Sequence, residues 1–308
     1  MENAKEPKRI SIEELQRRMD GTGELYLIDT LPGDHFEKIH LPGALNACVF
    51  QVDFPQQIAE IVQERDADLV VYGAGGSSMD ALTAADKLLR LGYPSVFVFS
   101  GGIAEWHAAG LSLEGENPAS GLISETVFHF QDGDYTLDAG KSIEWKGRNA
   151  NGAHHGAVDL ARGQITVKGD AIQGTFEVDM HTIRNINLEG DPLQPVLVDH
   201  LKSDDFFFVK MFPKATFIIE KATPLEGASL TTFNYNIEGR LEIRGVQNRL
   251  CFPAAVNPLA DGGFSAEAHF DIDRTKWGVI CGSSGLYKHL GMHKVYDLIS
   301  FQLNLVFQ

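Results

Sequence analysis

The chain has 308 residues, 44% of them hydrophobic and 22% charged, with a formal net charge of −16 and a sequence pI near 5.0. The length suits about two domains, and the composition suits packed globular cores. Both halves are acidic, with 9 Lys/Arg against 18 Asp/Glu over residues 1–115 and 17 against 24 over the remainder. This argues against nucleic acid and against an anionic membrane as a general partner, since both repel such a field; a local basic patch stays open. No apolar run reaches the ~18 residues of a membrane-crossing helix. The opening residues hold no apolar run followed by a small-residue cleavage site, so a secretory signal is not expected. Cys48, Cys251 and Cys281 are odd in number and widely spaced, which is not a disulfide framework. A reduced cytoplasm is the expected compartment.

The first half alternates helical and strand patterns. Ile12, Leu15 and Met19 recur at helical spacing after Ser11, an N-cap residue with Glu14 three positions on. Leu25–Asp29 reads as a buried strand, Ile58, Ile61 and Val62 as a helix, and Leu69–Tyr72 as a second strand followed by a Gly-rich loop. Met79, Leu82, Ala85 and Leu88 form a helical stripe ending before Gly92, and Val96–Phe99 is a third strand running into Gly101 and Gly102. Strands alternating with helices predict a parallel sheet covered on both faces. Between residues 112 and 124 Pro, Gly, Ser and Asn cluster and apolar content falls, the mark of a linker.

Beyond it the period becomes two. Phe233, Tyr235, Ile237, Gly239, Leu241 and Ile243 alternate with polar residues, as do Ile299, Phe301, Leu303, Leu305 and Phe307. Shorter alternations lie at Thr175–Met180 and Phe264–Ile272. Turn signals at 168–170, 225–227 and 261–263 separate them. Many strands with one apolar face and no long helices predict an antiparallel sandwich or barrel, and strands this long suit a barrel better. The expected division is an α/β domain at 1–115, a linker and first edge at 116–132, and a barrel at 133–308.

The first half resembles the rhodanese family over nearly its whole length. The resemblance is carried by Leu27-Ile-Asp29, His40-Leu-Pro-Gly-Ala-Leu-Asn46, Leu69-Val-Val-Tyr72, Leu91-Gly-Tyr93 and Gly101-Gly-Ile-Ala-Glu-Trp106. It implies a parallel-sheet domain whose sulfur-transferring members carry a cysteine directly after the strand ending here at Tyr72. Such a loop of inward N–H groups at a helix N-terminus stabilises a thiolate. Here Gly73 occupies that position, no cysteine lies between Cys48 and Cys251, and the family's arginine late in the loop is absent. The expectation is a catalytically silent module with no catalytic residue. Gly75, Gly76, Ser77 and Ser78 remain as a candidate anion loop.

The second half resembles the YceI-like family of polyisoprenoid- and lipid-binding barrels. The matching stretches are Tyr135–Asp138, Ser142–Trp145, His200–Phe207, Phe212–Phe217, Gly239–Val246 and Phe270–Gly278. The resemblance implies a lipocalin-like all-antiparallel barrel with a short crossing helix near His200–Phe208, and a bound lipid or isoprenoid. The candidate ligand walls are Phe176, Val178 and Met180, with Phe217, and Phe233, Tyr235 and Ile237; His155 is a candidate cap for a head group. Phe206, Phe207 and Phe208 are read as helix packing.

His289 and His293 sit four apart, but Gly291 between them speaks against a helix, and no metal or other cofactor is expected. The reading is an apolar-ligand carrier, not an enzyme, with no nucleic-acid partner and a transient membrane or protein contact left open. Two rivals remain: an interaction protein with a filled barrel, and a thiol or persulfide enzyme using Cys48, Cys251 or Cys281.

Overall fold

The computed structural model describes residues 7–21, 23, 25–118, 130–169, 171–259 and 262–308. The chain divides into two compact units, 1–124 and 125–308. The expected linker falls largely on residues 119–129, outside the described residues. Its first part belongs instead to the first domain. Glu114 pairs with His40, and the amides of Glu116 and Asn117 donate to Glu37 and Lys38 carbonyls at 2.8 and 2.9 Å.

The first domain contains β1 (Lys8–Arg9), α1 (Ile12–Met19), β2 (Leu25–Asp29), α2 (Gly33–Lys38), β3 (Leu45–Asn46), α3 (Phe54–Ile61), β4 (Asp68–Tyr72), α4 (Asp80–Arg90), β5 (Val96–Phe99) and α5 (Gly102–Ala108). The sheet is parallel, in the order β1-β5-β4-β2-β3. β4 and β5 are buried almost throughout, as a sheet covered on both faces requires. Ser11 caps α1, accepting from the Glu14 amide at 3.3 Å. The stripe expected on α4 holds at Ala85 and Leu88, with Leu82 packed against the same core, and fails at its first residue. Met79 precedes the helix and is exposed, while Asp80, Ala81, Ala84, Ala85 and Leu88 are buried. Ala81, Ala84, Ala85 and Leu88 share one core with Leu69 and Val71 of β4 and Val96 and Val98 of β5.

The second domain contains β6 (Gly133–Thr136), β7 (Ser142–Asn149), β8 (Gly152–Lys168), β9 (Ala171–Asn185), α6 (Leu193–Lys202), β10 (Lys214–Pro224), β11 (Tyr235–Ile243), β12 (Val246–Pro258), β13 (Phe264–Asp273) and β14 (Leu298–Phe307). The antiparallel order β8-β7-β14-β13-β12-β11-β10-β9 closes through β9 pairing back to β8. This is an eight-stranded barrel, as expected. β6 takes up the edge of β8 where β7 leaves it, and Thr136 exchanges backbone bonds with Gln308 at 2.8 and 3.0 Å.

Two expected elements shift. The strand read from Phe233 begins at Tyr235, because Asn234 turns its fully buried amide to the Val256 backbone, with both bonds at 2.8 Å. The helix expected near 200–208 ends at Lys202, where Ser203 becomes extended. Phe206 and Phe207 follow it and face the barrel interior.

The connections sort to two ends. One end carries the connections from β8 to β9, from β10 to β11 and from β12 to β13. The other carries the 149–152 and 243–246 turns, the α6 connection 186–213 and the long connection 274–297. The core of the domain is the inward face of the strands.

Candidate functional site

The barrel encloses a cavity of about 380 Å³, lined almost wholly by apolar side chains. Its size falls within the range of small-molecule sites. A belt of phenylalanines crosses its wall: Phe176, Phe217, Phe252, Phe270 and Phe301 follow one another at ring separations of 6.4, 5.7, 4.1 and 6.0 Å. Glycines on neighbouring strands make room for the rings. A Cβ on Gly239 would lie 2.8 Å from Phe217, one on Gly163 2.9 Å from Phe176, and one on Gly156 2.8 Å from Trp145. Aromatic rings thus cover backbone that glycine leaves bare.

The two ends of the cavity differ. At one, Phe264 stacks on Phe307 at 4.7 Å and meets Phe130 at 4.9 Å, and both Phe264 and Phe307 are about 1% exposed. That end is closed by rings. At the other, the lining includes Arg148, Asn149, His154, His200, Arg274 and Tyr296, and Tyr296 is 52% exposed. That end is the mouth. Arg274 is buried there and holds the long connection together, donating to the carbonyls of Val279, Val295 (3.0 Å) and Tyr296 (3.1 Å). On the wall between, the indole N–H of Trp145 is buried with no hydrogen-bond partner.

Of the residues expected to form the site, Phe176, Val178, Met180, Phe217 and Ile237 line this cavity. Three do not. Phe233 lies before its strand and packs on His269 at 4.8 Å. Tyr235 is buried against Phe130 beside the closed end. His155 is exposed on the outer face, and its neighbour His154 lines the mouth instead. The alternation carries the signal for this assignment: counting back by twos from Leu160 through Val158, both buried, lands on His154. Trp145, Phe252, Phe270 and Arg274 were not singled out as ligand-facing, although each alternates in phase with recognised inward residues or ends such a strand.

In the first domain, the loop after β4 is filled from within. Asp80 is buried, and its carboxylate accepts from the Ala74 amide (3.0 Å), the Ser78 hydroxyl (2.8 Å) and the Ala81 amide (2.7 Å). A Cβ on Gly73 would meet this carboxylate at 2.3–2.5 Å. Of the candidate anion loop, Ser78 is thus engaged with Asp80, while Gly76 and Ser77 are exposed. Gly75 (φ +92°) and Gly102 (φ +56°) let this loop press on the start of α5, where Ile103 and Ala104 amides donate to Gly73 and Ala74 carbonyls. Nearby Asp29 is fully buried; burial pushes its carboxyl up to about 6, although the Leu31 amide and the Tyr72 hydroxyl oppose the rise. Burial likewise holds the Tyr72 hydroxyl well above its usual range.

The cysteines lie apart. Cys48 is buried in the first domain, Cys251 is exposed on the outer face of β12, and Cys281 is half-buried, with burial pushing its thiol up. Among the described residues no cluster of three or more His, Cys, Asp or Glu could hold a metal. Gly291–His293 forms one 3₁₀ turn and His289 takes φ +57°, so the two histidines do not share a helix. No helix among the described residues is long and apolar enough to cross a membrane.

Comparisons with known proteins divide at the same place. Residues 11–109 match the rhodanese-like domain and residues 135–307 the YceI-like domain. Among curated proteins, an HTH-type transcriptional regulator of Mycobacterium tuberculosis, Rv0324, is 31% identical over 33% of this chain and 42% of its own length. The Escherichia coli protein YibN is 26% identical over 31% of this chain and 65% of its own. The chain therefore spans less than two thirds of these relatives. Among solved structures, Burkholderia cenocepacia BcnA is 21% identical, covering 55% of this chain and 98% of its own, with TM-score 0.44. A polyisoprenoid binding domain from Saccharophagus degradans is 10% identical, covering 56% and 97%, with TM-score 0.41. The Alr3790 protein from Anabaena is 24% identical, covering 34% and 91%, with TM-score 0.31. Since the YceI-like match spans more than half of the chain, the protein belongs to the YceI-like family, with a rhodanese-like domain preceding its barrel.

Proposed function

We propose that the barrel binds and carries one elongated apolar molecule, of isoprenoid, quinone or fatty-acid type, and that the rhodanese-like domain is catalytically silent. The observation that carries the reading is the apolar cavity of about 380 Å³, closed by rings at one end and polar at its mouth. Strands of about ten residues tilted as in small barrels give an interior roughly 23 Å long, a shape for a chain rather than a compact ring system. Each buried CH₂ contributes about 0.8 kcal/mol, so a tail of several carbons is held without any reacting group. A polar mouth keeps a head group wet while the tail is buried.

Silence of the first domain rests on chemistry. No thiol follows β4, and the place its side chain would take holds the Asp80 carboxylate. A thiolate or persulfide there would meet a buried anion instead of free N–H groups. Of the alternative thiols, Cys281 is disfavoured as a nucleophile because burial favours its protonated form.

Organic extraction of the purified chain followed by mass spectrometry tests the carrier reading, together with titration of the emptied protein with a fluorescent polyene. An apolar molecule released in near-stoichiometric amount, or saturable polyene binding, is expected. Nothing released and no binding overturns it.

A further inference from the structure

The exposed large apolar side chains of the barrel domain are not scattered. Among its described residues there are ten, and every one lies at the mouth end. They stand on the α6 connection (Leu193, Val196 and Met211 among them), on the 243–246 turn and on the long connection before β14 (Leu286, Tyr287, Met292). None lies on the outer wall between the rims or at the closed end. Isolated exposed apolar residues are ordinary; their confinement to one rim marks an interaction surface.

The charge of that rim is also set apart. From Arg274 to Tyr296 the sequence holds Arg274, Lys276, Lys288 and Lys294, two histidines, and no Asp or Glu, in a chain whose net charge is −16. Arg274 is buried, but Lys276, Lys288 and Lys294 are exposed. Lys288 directly follows Tyr287, and Lys294 comes two residues after Met292, which is 80% exposed. Asp273 and Asp297 flank this stretch, Asp297 lying 3.6 Å from the Arg274 guanidinium; the other large connection carries Glu189, Asp191, Asp199, Asp204 and Asp205 against Lys202 and Lys210. One lobe of the rim is thus basic and apolar, and the other apolar and acidic. The basic lobe continues into the cavity through Val295 and Tyr296, which line it.

We infer that the connection 284–294 docks on an anionic lipid bilayer, with the mouth of the cavity at the bilayer surface. Leu286 and Met292 enter the headgroup boundary, Tyr287 and the lysine stems lie in it, and the ammonium groups meet lipid phosphates. The acidic lobe is repelled, so the barrel tips onto its basic side. The inference rests on the proposed carriage of an apolar molecule, and it supplies the route: the tail passes between bilayer and cavity without crossing water. A protein groove is the alternative occupant; the lysines against an otherwise acidic chain favour lipid phosphate.

The test uses the full chain and vesicles, either of phosphatidylcholine alone or of phosphatidylcholine and phosphatidylglycerol in equal parts. Sedimentation with the anionic vesicles at physiological ionic strength is expected, weakened toward neutral-vesicle levels at ~1 M salt, where screening shortens to about 3 Å. Lys288→Gln with Lys294→Gln is expected to lower partitioning roughly twenty-five-fold, about fivefold per lysine. Leu286→Ser with Met292→Ser removes the insertion and lowers it on both vesicle types. Neither pair lines the cavity, so polyene binding in vesicle-free solution stays at the wild-type level. Equal partitioning of wild type and both variants, or no sedimentation at all, overturns the docking while retained polyene binding leaves the carrier reading standing. Loss of polyene binding by the wild type itself is the separate failure of that reading.

Discussion

The carboxylate of Asp80 sits where a side chain on Gly73 would go: a Cβ at position 73 would lie 2.3 Å from Asp80 Cγ. Glycine at position 73 and the presence of this acid are therefore one structural arrangement. Gly73→Cys alone is expected to destabilise the first domain by about 1–3 kcal/mol through overpacking and to take up no sulfur from thiosulfate. Asp80→Ala opens the space but leaves the Ala74 and Ala81 amides without their carboxylate, a loss of about 1–3 kcal/mol for each amide left unsatisfied. Thermal melts and cyanide-detected persulfide formation on both variants check this. Turnover by Gly73→Cys with Asp80 in place would show that the acid does not block the loop.

Asp29 gives a pH signature. Its folded pKa, about 6, stands above the ordinary 3.8, so the folded chain binds this proton more tightly than the unfolded one. The contribution is fully present below about pH 4 and is lost as pH rises through about 6, a change on the order of 3 kcal/mol across that window. Asp29→Asn, which cannot ionise, is expected to flatten the stability curve between pH 4 and 6 relative to wild type, and to be the more stable of the two at pH 7. Urea midpoints at pH 4.5, 5.5 and 7 measure the difference, so that other titrating groups cancel. Parallel curves for the two proteins would mean that Asp29 is not a buried acid.

Much of this was legible in the residues. The period-two runs of β11, β13 and β14 show an inward apolar face at once, and five of the eight expected residues, three on β9, Phe217 on β10 and Ile237 on β11, line the cavity. β8 pairs with β9 through register shifts at Ala157/Asp159 and Leu160/Arg162, yet its two-residue count from Leu160 still reaches His154, so the expectation of His155 missed a signal that the sequence carries. Phe233 continued the β11 pattern, but the strand begins at Tyr235: Asn234 adds side-chain bonds to Val256 to its own backbone bonds with Ala254 and Leu225, and Phe233 packs on His269 instead. Asp80 could not be read as the filler of the loop, since its partners are backbone amides that no sequence pattern displays.

A hollow barrel and a filled one respond oppositely to added volume. Ala254 is buried on the cavity wall in β12. In a hollow barrel Ala254→Phe projects its ring into empty space, so thermal stability holds or rises while polyene affinity falls at least about tenfold, the equivalent of ~1.4 kcal/mol. In a filled barrel the same ring overpacks the core and costs about 1–3 kcal/mol. A melting curve and a polyene titration on one variant separate the carrier from the solid interaction module. A destabilised variant with no change in ligand binding speaks for the solid one.

Trp145 bears on what the ligand carries. Its indole N–H is buried on the cavity wall with no partner, which costs the empty protein about 1–3 kcal/mol. A ligand oxygen within reach would accept that hydrogen, whereas a pure hydrocarbon would not. Trp145→Phe keeps an apolar ring over Gly156 and removes the donor, so the unliganded variant is expected to melt no lower than wild type. Its affinity for a long-chain quinone should fall about fivefold, the worth of one neutral hydrogen bond of about 1 kcal/mol, while its affinity for a squalene-type hydrocarbon stays level. The contrast between the two ligands separates lost hydrogen bonding from lost packing, because a change in wall shape would weaken both. Equal loss for quinone and hydrocarbon would assign Trp145 to the wall alone and leave the ligand's polar group to the mouth, where His154, Asn149 and Arg148 line the opening.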